Sequence, residues 1–138
     1  MVDCAFARLS DEVDLDAVFT GDGKKVRQPG SPEGQGLVSK TGRTTGKTVG
    51  RITAFSLDDI VVDYFRGLIS FNGQIEIESL NDLPFSMPGD SGSLIVSEDG
   101  HPLGLLFARS AAGGRTNAGL TYANPIQSVL DALGVTLM

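Results

Sequence analysis

Residues 87–94 read Met-Pro-Gly-Asp-Ser-Gly-Ser-Leu, with Ser91 between Asp90 and Gly92. A serine set among glycines presents its hydroxyl on a tight loop beside backbone N–H donors. That arrangement suits acyl transfer, in which the alcohol attacks a carbonyl and the N–H groups hold the resulting oxyanion. A serine hydroxyl is a weak nucleophile at neutral pH, so a base must take its proton from within about 2.6–3.2 Å. Imidazole is the usual base, and the chain has one histidine, His101. It lies in "EDGHP", which reads as a hairpin tip ten residues after the serine. Strand geometry carries such a residue away from Ser91, so His101 is expected to be a solvated turn residue. On these residues alone Ser91 also fits a plain tight turn.

The elements that must carry this loop are short strands. Eighteen glycines and six prolines punctuate brief apolar runs, the pattern of an all-β domain. "CAFARL" (4–9) reads as a first strand. Residues 10–36 read as a long surface connection, with a short strand around Val18 and Phe19. "LVSK" (37–40), "TVGRITAF" (48–55) and "IVVDYF" (60–65) follow. Asn72-Gly73 inside "FNGQIEIES" (71–79) signals a hairpin, because both residues tolerate positive φ. "SLIVS" (93–97) and "PLGLLFA" (102–108) flank a second hairpin at "EDGH", and "GLTYA" (119–123) gives one more strand. Asn124 is expected to cap a helix with Pro125 in its first turn. Ile126, Val129, Leu130 and Leu133 recur at helical spacing, and Gly134 stops it. The expectation is about seven strands closed by one amphipathic helix.

Composition narrows the function. At 138 residues the chain suits one domain, with 41% hydrophobic and 20% charged residues. No apolar run approaches the ~18 residues of a membrane span, and the start lacks the regions of a signal peptide. The expected location is therefore the cytoplasm, with bacterial export without disulfides as the alternative. A net charge of −6 with scattered basic residues argues against a nucleic-acid partner. Cys4 is the single cysteine, which excludes an internal disulfide and a four-cysteine zinc site; it reads as a small apolar residue. No cofactor or metal is called for. "GRTTGKT" (42–48) imitates a phosphate-binding loop, but only three residues separate Gly42 from Gly46 where four are needed, and β-branched residues follow where a helix should start.

The serine loop and its flanks resemble the chymotrypsin/trypsin-like serine peptidases. "GDSGSLIVSEDGHPLGLLFARS" is similar to that family's nucleophile, strand, hairpin and strand. "KTGRTTGKTVGRI" resembles the opening of its second barrel, and "AGLTYANPIQSVLDALG" its closing strand and C-terminal helix. The wording with Pro88 and "LGLLFA" looks most like the bacterial and plant narrow-leaf-type branch. The resemblance spans nearly all of this chain but only the second half of the two-barrel fold. It implies an all-β fold: a single Greek-key-like antiparallel β-barrel with a C-terminal α-helix, residues 1–138 including a crossover segment (1–36).

It also implies roles. Ser91 is the nucleophile, the N–H groups of Gly89 and Ser91 form the oxyanion hole, and Asp90 organises the loop. "VDCAFARL" resembles the family's aspartate segment, so Asp3 would orient the catalytic histidine. That histidine belongs upstream of Met1, on an N-terminal barrel that is then the expected partner, as another segment or a separate chain. Phe85 and Ser86 would approach the base of the specificity pocket. Phe107, Ala108 and Arg109 would lie along the strand that pairs with a peptide or protein substrate. Arg109 near the pocket mouth would favour acidic residues, although an exposed arginine has a plainer reading as surface charge. The chain alone is expected to be essentially inactive and, with an uncovered apolar face, to self-associate. The alternatives are a non-catalytic peptide-binding module and a natural half-protein produced by self-cleavage or encoded separately.

Overall fold

Apolar residues recurring at every second position set the strands, each placing one face inward. In the computed structural model, which describes residues 1–12, 25–34 and 36–137, eight strands form: β1 (Leu37–Gly42), β2 (Gly46–Leu57), β3 (Ile60–Tyr64), β4 (Gly67–Phe71), β5 (Gln74–Ser79), β6 (Leu94–Ser97), β7 (Pro102–Arg109) and β8 (Leu120–Pro125). Six of them close a barrel in the order β1-β2-β5-β8-β7-β6, and β6 returns to pair with β1. Every pairing is antiparallel. The barrel interior is filled by Val38, Ile75, Ile77, Phe85, Ile95, Leu103, Leu106 and Ala123, all buried. Burying the valine, isoleucine, leucine and phenylalanine side chains among them contributes about 1.5–3 kcal/mol each, which holds the loops at the barrel ends in place.

β3 and β4 form a separate two-stranded ribbon. This corrects the expected hairpin at Asn72-Gly73, because β4 does not pair with β5. Both edges of β5 are already taken, by β2 and β8. Asn72-Gly73 is instead a corner between ribbon and barrel: the Asn72 side chain accepts the Asp59 N–H (3.0 Å) and Asp58 accepts the Gly73 N–H (2.9 Å). The tight turn of the ribbon is at Phe65-Arg66, between paired Tyr64 and Gly67.

"CAFARL" is not a strand; residues 1–10 have no regular structure. A closed barrel offers no free edge for such a run to join. The segment is fastened instead at Asp3, whose N–H donates to Asn124 Oδ1 (3.3 Å) while Asn124 Nδ2 donates to the Asp3 carbonyl (2.9 Å). Asn124 is thereby used up, so the expected cap fails: α1 (Ile126–Leu133) starts after Pro125 without a side-chain cap. Ile126, Val129 and Leu130 are the buried residues of its apolar face, which packs on β7 and β8. The helix ends as expected at Gly134, with the Val135 N–H bonded to the Leu130 carbonyl (3.1 Å). The strand expected around Val18 and Phe19 lies outside the described residues.

Candidate active site

The Ser91 loop joins β5 to β6 and is stitched to the end of β7. The Gly92 N–H donates to the Leu106 carbonyl (2.8 Å), and the Leu106 N–H donates to the Ser93 carbonyl (3.0 Å). Ser91 itself is exposed, and its hydroxyl lies 3.5 Å from the Phe107 carbonyl, a long contact that leaves it free to react. Among the described residues, neither the Gly89 nor the Ser91 N–H donates to a protein acceptor. Gly89 adopts φ 99°, a region open to glycine. The loop thus presents one alcohol and two unspent donors.

Asp90 holds this arrangement from beneath. Its side chain is buried and accepts four hydrogen bonds: the N–H groups of Thr44 (2.8 Å) and Thr45 (3.2 Å), the Thr45 hydroxyl (2.8 Å) and the Met87 N–H (2.9 Å). The Lys40 ammonium, equally buried, stands 3.6 Å away and donates to Thr45 Oγ1 and the Gly46 carbonyl. Burial would raise the Asp90 pKa, but the Met87 N–H, the Thr45 hydroxyl and the two threonine N–H groups outweigh it and hold the carboxyl well below its ordinary range. Burial pulls Lys40 below the usual lysine value, against the attraction of Asp90. Gly42 makes room for the clamp, since a Cβ there would lie 2.4 Å from Asp90 Oδ1. Lys40 went unnoticed in the sequence, although its spacing two residues from inward-facing Val38 is the signal that would have found it.

The remaining sequence-derived residues divide. Asp3 is half-buried, pinned through Asn124, and its Oδ2 accepts the Tyr64 hydroxyl. Burial and the Asp3 carboxylate push the Tyr64 phenol up. The Phe85 ring belongs to the barrel core and the Ser86 hydroxyl bonds the buried Thr121 hydroxyl at 2.7 Å, so neither side chain faces an open surface. The Phe107 ring is buried against Phe71, with centroids 4.8 Å apart. Ala108 and Arg109 do reach a groove of about 400 Å³, bounded on its other side by Asp59–Asp63 of the ribbon and its approach. The Arg109 guanidinium donates to the Ala118 carbonyl (3.3 Å).

His101 is engaged elsewhere. Its Nδ1 lies 2.8 Å from the Gln28 carbonyl, and its N–H donates to the Ser97 hydroxyl (3.0 Å). It sits at the β6–β7 turn, six residues along the chain from Phe107, or about 20 Å at strand rise. Ser91 touches the opposite end of that strand. Among the described residues no cluster of His, Cys, Asp and Glu is arranged to hold a metal ion. Among them, too, no helix is long and apolar enough to cross a membrane.

No family model matches the chain. Among curated proteins it is 35% identical over 83 residues to Protein NARROW LEAF 1 of Oryza sativa subsp. japonica, covering 56% of this chain and 14% of that protein. Among solved structures it resembles Cellulomonas bogoriensis chymotrypsin (TM-score 0.61, 25% identity), covering 87% of this chain and 60% of that one. It resembles a glutamic acid-specific serine protease at TM-score 0.65 and 24% identity, covering 95% of this chain and 65% of that one. Thermobifida fusca Protease A aligns at TM-score 0.59 and 22% identity, over 82% of this chain and 55% of its own. The chain therefore spans less than two thirds of each of these relatives. Its architecture, a closed six-stranded antiparallel barrel followed by one helix, is that of a trypsin-like barrel.

Proposed function

We propose that the chain is the serine-bearing, C-terminal barrel of a trypsin-like serine endopeptidase, of the narrow-leaf-type branch. Ser91 attacks the substrate carbonyl, the C–N bond breaks as the amine leaves with the proton taken from Ser91, and water then hydrolyses the acyl-enzyme. The Gly89 and Ser91 N–H groups hold the oxyanion. Asp3 orients a histidine supplied by an N-terminal barrel, in the same polypeptide or a separate one, and that imidazole takes the Ser91 proton. Residues 1–138 act as one unit, with 1–36 as the crossover that delivers Asp3. Peptide lies extended along Phe107–Arg109, gaining main-chain hydrogen bonds, with Phe85 and Ser86 closing the base of the specificity pocket from the barrel core. The observation that carries this reading is the exposed Ser91 hydroxyl beside two unspent N–H donors, on a loop clamped by buried Asp90.

Serine peptidases that lack one triad member retain about 10³–10⁴-fold over water, through the oxyanion hole and binding alone. A fluorophosphonate probe should label Ser91 in the protein that carries the histidine barrel, label the 138-residue chain poorly, and fail on Ser91→Ala. Equal labelling of both proteins would reject the missing-base account. The lack of a base near Ser91 among the described residues supports a second reading, a peptide-binding module that does not cut. An upstream reading frame without a histidine in a strand–loop context would favour it.

A further inference from the structure

Asp3 is held at more points than an irregular terminal segment requires. Its backbone is pinned on both sides by the Asn124 amide, whose side chain is fully buried at the end of β8. Its carboxylate is held by the Tyr64 hydroxyl at Oδ2. Among the described residues Oδ1 has no donor. Tyr64 is the last residue of β3, and its ring lies 6.2 Å from Phe71, which in turn lies 4.8 Å from Phe107. The Phe107 carbonyl is the group beside the Ser91 hydroxyl. One row of three aromatic rings therefore fixes the phenol relative to the strand that flanks the serine.

We propose that Tyr64 is the positioning residue for Asp3: its hydroxyl holds one carboxylate oxygen so that the other remains to accept the N–H of an incoming imidazole. The inference deepens the peptidase reading and rests on it. A backbone pinned by Asn124 still leaves the carboxylate free to turn about its side-chain bonds. A phenol is well suited to stop that rotation, because it donates one hydrogen bond and brings no charge to compete with imidazolium. The β3–β4 ribbon, which contributes nothing to barrel closure, thereby gains a role as the carrier of this donor.

Two measurements test it. In the present chain carrying Tyr122→Phe, Tyr64 is the sole tyrosine, and at neutral pH the tyrosine Raman doublet reports whether its hydroxyl donates to a carboxylate. The doublet should have the intensity ratio of a strong donor, and adding Asp3→Ala should shift it to that of a water-bonded phenol. A doublet unmoved by Asp3→Ala means the bond is not made in solution and overturns the proposal, including where Tyr64→Phe fails to fold. In the protein carrying the histidine barrel, Tyr64→Phe should lower kcat about 10–100-fold with KM unchanged, the scale of a small misplacement. The acid limb of kcat/KM should move to lower pH, since an unoriented carboxylate stabilises imidazolium less. Unchanged kcat and pH profile, or a raised KM with kcat intact, overturns the proposal. Ser91→Ala runs in parallel: full peptidase activity in that variant would sink the catalytic reading itself, whatever the Tyr64 doublet returns.

Discussion

Asp90 accepts four hydrogen bonds and faces one ammonium where both side chains are shut off from solvent. Removing one partner of such a pair leaves an uncompensated buried charge, a cost of about 3–5 kcal/mol. Asp90→Asn should therefore lower the unfolding free energy by about that much in urea titration. The pH dependence has a definite sign. The folded pKa of Asp90 lies below its unfolded value of about 3.9, so its contribution is complete above about pH 5 and is lost as the pH falls further. Circular dichroism between pH 5 and 2 should show the wild type losing more stability than Asp90→Asn. Gly42→Ala should cost about 1–3 kcal/mol by overpacking, because the new methyl would strike the Asp90 carboxylate. At this scale the sequence was legible where chemistry is local. Ser91, Gly89 and Asp90 are contiguous and announce a loop. Tyr64 meets Asp3 across 61 positions, and no spacing rule links them.

The elements follow their patterns where a short turn joins two strands whose facing edges are free. β6 and β7, joined by Glu98–His101, pair as a hairpin because the short turn leaves no alternative. Legibility fails where an edge is contested. β4 and β5 are adjacent and joined by Asn-Gly, yet β5 goes to β2 and β8, whose apolar inward faces complete a core. Asn124 had the composition of a cap and was claimed by Asp3. The ribbon should also differ dynamically, since only two strands support its hydrogen bonds. Amide exchange across Ile60–Tyr64 is expected to be faster than at Ile75 and Ile77. The helix is anchored by few side chains, so Leu130→Ala should destabilise the chain by about 2–5 kcal/mol, read from its thermal transition.

At the scale of the whole molecule, the barrel is closed but its surface is not uniformly polar. Phe6, Phe65, Leu68 and Leu83 are each at least 66% exposed. Large exposed apolar groups favour contact with another surface, and a net charge of −6 opposes it only modestly. Sedimentation velocity at rising concentration should show association, reduced in Phe65→Asp/Leu68→Asp. A concentration-independent monomer with a high melting temperature would contradict this expectation.

Among the described residues, every hydrogen-bond or ion-pair partner of the reactive loop (87–93) comes from Lys40–Gly46, from the loop itself or from the adjoining stretch of β7. Among those residues the brace is self-contained within the barrel. On the proposed reading, supplying the base from a second polypeptide is then a docking problem instead of a refolding problem. Reconstitution from two separately produced halves should accordingly proceed at a rate set by their encounter, rising in proportion to concentration.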